Sequence, residues 1–188
     1  MNLRTLTVAL FSLLIGTSGR AQPTSAQDKG APSEYEVKAA FLYNFAKFVE
    51  WPSGTFASSN APVIIGILGR NPFGGELERM VKDKVLKGRP MVVQTVASTA
   101  DPALKHCQIL FIQPMDRDRT MEILGSLKGA PILTVSETDD FVKLGGMISF
   151  VMDGKRVRFE INDNAAMAAG LRISSKLLSL SKRTEAGQ

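Results

Sequence analysis

The chain has 188 residues, of which 44% are hydrophobic, 22% charged and 7% aromatic, with one cysteine and one histidine. That profile suits a globular chain long enough to bury a core unaided, and it excludes collagen-like, disordered and disulfide-scaffold classes. The formal net charge of +5 invites a nucleic-acid reading only until the amino terminus is considered.

There, Arg4 precedes an apolar run from Leu6 to Ile15, and small residues lead into Gly19-Arg20-Ala21. The run is shorter than the roughly 20 residues a bilayer span needs, so residues 1–21 are expected to be a secretory signal cleaved after Ala21, with Ala26 as a second candidate. Losing Arg4 and Arg20 takes the basic count from 23 to 21 against 18 acids, a net charge of +3. That excess no longer argues for nucleic acid, and the mature chain is not expected to span a membrane. Residues 22–33 are small and polar with Pro and Gly, a flexible leader. The domain is expected over 34–183, followed by a disordered tail over 184–188.

From Glu34 to Glu50, Val37, Phe41, Phe45 and Phe48 recur at helical spacing, so an amphipathic helix is predicted. Ser33 and Glu36 form a capping box, and Pro52 is expected to end the helix at Trp51. An apolar strand over PVIIGILG (62–69), the loop RNPFGG and a helix from Glu76 to Val85 follow. Further strands are predicted at 90–96, 107–114 and 130–137, with a helix over Asp116 to Leu127. Such alternation predicts βαβ units. Around Asp153-Gly154, Ile148, Phe150 and Met152 are in phase with Val157, Phe159 and Ile161, which predicts a hairpin. Asn162 then caps a final helix over 163–182, with Ala165, Ala168, Ala169, Ile173, Leu177 and Leu180 on its buried side. The predicted class is α/β: a three-layer single domain with a mostly parallel sheet that ends in an antiparallel hairpin, and helices on both faces.

Chemistry-bearing patterns are sparse. His106 and Cys107 have no spaced partner set, so neither a metal site nor a nucleophile triad is indicated, and no cofactor is expected. Cys107 lies in an apolar strand-like run and reads as a buried small hydrophobe. Around Arg70, the Gly74 and Gly75 amides could hold a small anion where a strand gives way to a helix, or could form an ordinary tight turn. Arg172 lies in an apolar helical segment, where it must snorkel or pair, with Glu160 a plausible partner. Phe48 and Trp51, at the end of the aromatic stripe, are core packing on the plainer reading; on the other they dock a partner or a second copy.

The segments NFAKFVEWP, ILGRNPFG and HCQILFI, and above all FEIN followed by AAGLRISSKLLSL, resemble the YfiR-like family of exported bacterial proteins over roughly residues 35–182. The resemblance implies a periplasmic α/β regulator, not an enzyme. On that reading it represses an inner-membrane diguanylate cyclase by binding the cyclase's periplasmic sensor domain, is relieved by an outer-membrane lipoprotein, and tunes cyclic-di-GMP signalling and biofilm formation, with a homodimer expected. It further implies a small-ligand pocket at Glu50, Glu160, Arg172 and Ser174. Family cysteines form disulfides. Here Cys107 matches one, while Gly66 stands where its partner would be and Ser149 where a further cysteine would be, so bridge-based redox control is not expected. The alternative class is a periplasmic module binding a small anionic ligand, or less readily a hydrolase using the Gly69 to Gly75 loop with Glu76 or Asp116 as its acid.

Overall fold

The computed structural model describes residues 31–182; the expected signal peptide, most of the expected leader and the carboxyl tail lie outside the described residues. Helix α1 spans Glu34–Phe48 and is fixed by the expected capping box, with Ser33 Oγ accepting from Glu36 N–H and the Glu36 carboxylate accepting from Ser33 N–H. The helix stops before Trp51. Val49–Glu50 leave it as strand β1, which pairs antiparallel with β9, Arg172–Ile173. A distant pairing, not Pro52, therefore sets the helix end.

The main sheet has seven strands in the order β3-β4-β2-β5-β6-β7-β8. Strands β2 (Val63–Leu68), β4 (Arg89–Val96), β5 (Ile109–Ile112), β6 (Leu133–Ser136) and β7 (Ile148–Asp153) run parallel, while β3 (Val85–Leu86) and β8 (Arg156–Ile161) are antiparallel edges. The hairpin has the predicted phase, with Ile148 opposite Ile161, Phe150 opposite Phe159 and Met152 opposite Val157. Its turn falls one residue later than predicted, at Gly154-Lys155, because Asp153 still pairs with Arg156. Gly154 supplies the positive φ of 59° that such a turn requires.

Alternation along the parallel strands feeds two cores. Ile65, Ile67, Ile109, Phe111, Leu133 and Val135 face α1, α2 (Glu76–Val81) and the carboxyl-terminal elements. On the opposite face, Leu110 and Ile112 meet Ile123 and Leu127 of the α3 region (α3, Arg117–Ser126) and Leu104 of the 3-10 turn Pro102–His106. Both faces are covered, as expected of parallel strands.

Two predicted helices are shorter than their sequence pattern. Helix α2 ends at Val81 and not at Val85, since Asp83 takes a positive φ of 58° and Val85–Leu86 become β3. The predicted final helix is broken into α4 (Asp163–Ala168), β9 and α5 (Ser175–Leu180). Gly170, at φ 76°, ends α4 by allowing Leu171 N–H to reach back to Ala166 C=O, and Leu171 then enters the core. The break turns Ala168 and Leu180 outward and buries Ala166.

Candidate functional site

The β1–β9 pair brings together residues separated by more than a hundred positions. Glu50 lies opposite Arg172 in the strand register, and Arg172 Nη2 donates to Glu50 Oε2 at 2.8 Å. Arg172 is therefore not paired with Glu160, contrary to the sequence expectation. It lies on a short strand outside any helix, with its side chain 82% exposed. So exposed a pair contributes at most about 1 kcal/mol to stability, which leaves the guanidinium available for other contacts.

Ser174 follows directly and is committed locally. Its N–H donates to Phe48 C=O at 2.9 Å, and its hydroxyl accepts from Leu177 N–H as the cap of α5. Around these residues is an open cavity of about 220 Å³ lined by Lys47, Phe48, Glu50, Lys87, Arg172 and Ser174, among others. Three cations against one carboxylate make it attractive to anions. Lys176 stacks its ammonium 5.4 Å from the Phe48 ring centre, adding a fourth cation nearby. Lys47 and Lys87 escaped the sequence reading, because only the fold brings the β3–β4 turn beside the end of α1.

Glu160 lines a different, wider cavity of about 1060 Å³, together with Glu34, Tyr35, Lys38, Glu137 and Ser149. It sits on β8 opposite Ser149, and its backbone is bridged by Lys182. The pocket implied by the resemblance is thus divided: Glu50, Arg172 and Ser174 share one cavity and Glu160 belongs to another. The wider cavity has a buried ionic cluster at its wall. The Lys38 side chain is only 3% exposed, its ammonium is held by the Glu34 and Glu137 carboxylates, and Tyr35 O–H donates to Glu137 at 2.9 Å. Burial by itself would lower the Lys38 pKa, but the hydrogen bonds to Glu137 and Glu34 outweigh it and hold the ammonium above its ordinary value. The Tyr35 phenol is raised by burial and by its hydrogen bond to Glu137. The spacing of Glu34 and Lys38 was legible; the contact with Glu137 was not.

The remaining candidates have simple structural settings. Trp51 is half-buried with its indole N–H donating to Gln108 C=O at 3.1 Å, so it packs α1's exit against the sheet. Phe41 and Phe45 pack against Phe150 and Phe159, which accounts for most of the aromatic stripe. In the loop after β2, Phe73 is buried, and Asn71 Oδ1 accepts from its N–H. Gly74 and Gly75 adopt positive φ of 56° and 88° at the turn into α2, a conformational reason for both glycines. Arg70 is exposed, and its N–H donates to Gln113 Oε1 at 2.6 Å.

Cys107 is buried, with its thiol pushed up to about 11 by burial and, secondarily, by Asp101. A Cβ built at Gly66 would lie 2.6 Å from its Sγ. The two positions that the resemblance pairs are therefore in contact across the sheet.

No helix among the described residues is long and apolar enough to cross a membrane. A protein-family model described as YfiR/HmsC-like matches residues 35–182, which is most of the chain.

Proposed function

The chain belongs to the YfiR/HmsC-like family, and from that premise we propose that it is a periplasmic regulatory binding protein that represses an inner-membrane diguanylate cyclase. Binding to the cyclase's periplasmic sensor domain lowers cyclic-di-GMP and biofilm formation, and a competing outer-membrane lipoprotein relieves the repression. The observation that carries this reading is the match across nearly the whole described domain, which joins the amino-terminal export pattern in the sequence.

The mechanism is linkage. A ligand or lipoprotein that binds the repressor only when it is free of the cyclase must lower cyclase occupancy by the same coupling free energy. The β1–β9 surface is the favoured regulatory face. Arg172, Glu50 and Phe48 lie there at a solvent-open cavity, and Lys47 and Lys87 add positive charge. The same excess of cations favours a second reading, in which the chain binds a small anionic molecule and serves no cyclase.

The test is cellular cyclic-di-GMP, with biofilm alongside, in a strain deleted for the gene and in one complemented by the exported chain. A rise on deletion that complementation reverses is expected. No change, with the protein present and exported, would reject repression and favour the anion-binding reading.

A further inference from the structure

At the end of the sheet where β6 and β7 begin, away from the two cavities already described, another pocket of about 460 Å³ opens between α3 and α4. Met121, Leu124 and Gly125 form its α3 wall, and Ala165, Ala168 and Ala169 form the facing wall. Behind them Leu127 and Met147 are nearly buried, and the hydroxyl of buried Thr134 accepts from Met147 N–H at 3.1 Å. A mostly apolar hollow of this volume has the dimensions of a small-molecule site.

Gly125 shows that the hollow is not a by-product of packing. It lies within α3, where glycine is the costliest residue short of proline. Its φ is not in the left-handed region, and a Cβ built on it meets no atom within 4 Å. Neither conformation nor packing among the described residues calls for a glycine there. What the missing side chain does is deepen the pocket, as the three alanines do from the other side. The helix gives up stability to keep this space clear.

The charge at the pocket is of one sign. Lys128 is the only charged residue on the lining, and none of the ion pairs among the described residues uses it. The charges that flank the walls are engaged elsewhere: Arg119 with Glu122, Lys143 with Asp140, and Asp163 in the first turn of α4, where the helix dipole favours an acid. We propose that the pocket binds a small anionic amphiphile, a medium-chain fatty acid, with its alkyl tail between α3 and α4 and its carboxylate at Lys128. Small residues on both walls admit an unbranched chain, the apolar back wall excludes a polar one, and the lone ammonium at the rim selects the sign of the head.

The inference requires neither a cyclase nor the β1–β9 surface. The full exported chain is titrated by calorimetry with octanoate and decanoate below their micellar concentrations, with thermal melts in parallel. Each buried methylene tightens binding by about fourfold, so decanoate should bind about fifteenfold more tightly than octanoate and should raise the melting temperature. Gly125→Leu fills the space and should weaken decanoate by about tenfold or more without lowering the melting temperature of the free protein, since leucine is the better helix former. Ala168→Leu should do the same from the opposite wall. Lys128→Gln should weaken decanoate by up to about fivefold and leave neutral decanol unchanged. Absence of decanoate binding would overturn the proposal. So would binding undiminished in folded Gly125→Leu and Ala168→Leu, or decylammonium binding as tightly as decanoate.

Discussion

Replacing Gly66 by cysteine tests the central geometry of the sheet. The Cβ that any side chain brings to position 66 would stand 2.6 Å from Cys107 Sγ, 3.1 Å from Leu110 Cδ1 and 3.2 Å from Val96 Cγ2. Gly66 is not in the left-handed region, so the backbone itself accepts the change. In the reduced protein the added atoms overpack the core, which costs about 1–3 kcal/mol. Oxidation bonds the new Sγ to Cys107 Sγ, so the two positions are held at bonding geometry, while the contacts with Leu110 and Val96 remain. Closing the chain between positions 66 and 107 also removes about 4 kcal/mol of unfolded-state entropy. For a domain of this size that difference moves the melting temperature by about 10 °C between the oxidised and reduced forms. The assay is thermal unfolding of Gly66→Cys with and without reductant, with mass spectrometry to detect loss of the two thiol hydrogens. Gly66→Ser serves as the overpacked control and should melt like the reduced cysteine variant, at the same temperature with and without reductant. Failure of the bridge to form under oxidant, or an oxidised form no more stable than the reduced one, would refute the contact between positions 66 and 107.

Lys38→Met should destabilise the domain by about 3–5 kcal/mol, because it strands the Glu137 carboxylate beside a buried site, as denaturant titration would show. Arg172→Ala, by contrast, removes an exposed side chain and should change unfolding free energy by less than about 1 kcal/mol, while altering cyclic-di-GMP in the complemented strain. A large loss of stability without a signalling phenotype would return Arg172 to a structural role. In the unmodified protein, Cys107 should resist iodoacetamide at neutral pH except as fast as unfolding exposes it, since burial holds the thiol protonated. Acid should weaken the fold from about pH 4 downwards. Glu36 is lowered by the Ser33 amide, Asp101 by the Ala97 and Ala103 amides, and Asp140 by Lys143; the stability tied to these depressed values is present above the unfolded pKa and is lost as pH falls through the folded ones. Lys38 and Lys143, raised by their carboxylate partners, contribute in the opposite sense, with stability present below the ordinary lysine pKa and lost as alkaline pH rises through the folded values.

What the sequence by itself determined was local or periodic. The capping box at Ser33 and Glu36 lies within one helical turn, the strand runs bury both faces, and the hairpin phase follows from alternation alone, so each was legible without a partner. The family resemblance likewise rests on contiguous blocks such as FEIN and GLR. What only the tertiary structure decided depends on segments far apart in the chain. The apolar spacing of α1 continues to Trp51, yet Val49 and Glu50 leave the helix because Ile173 and Arg172 offer backbone partners. The pattern over 163–182 is helical, yet Gly170 permits a left-handed turn that lets Leu171 reach the core and delivers Arg172 to Glu50 instead of Glu160. Lys38 looks like a solvated helix residue until Glu137 closes over it. Helical propensity is worth a fraction of a kilocalorie per residue, so a few tertiary contacts suffice to override it, and it was at those overrides that the candidate site was assembled.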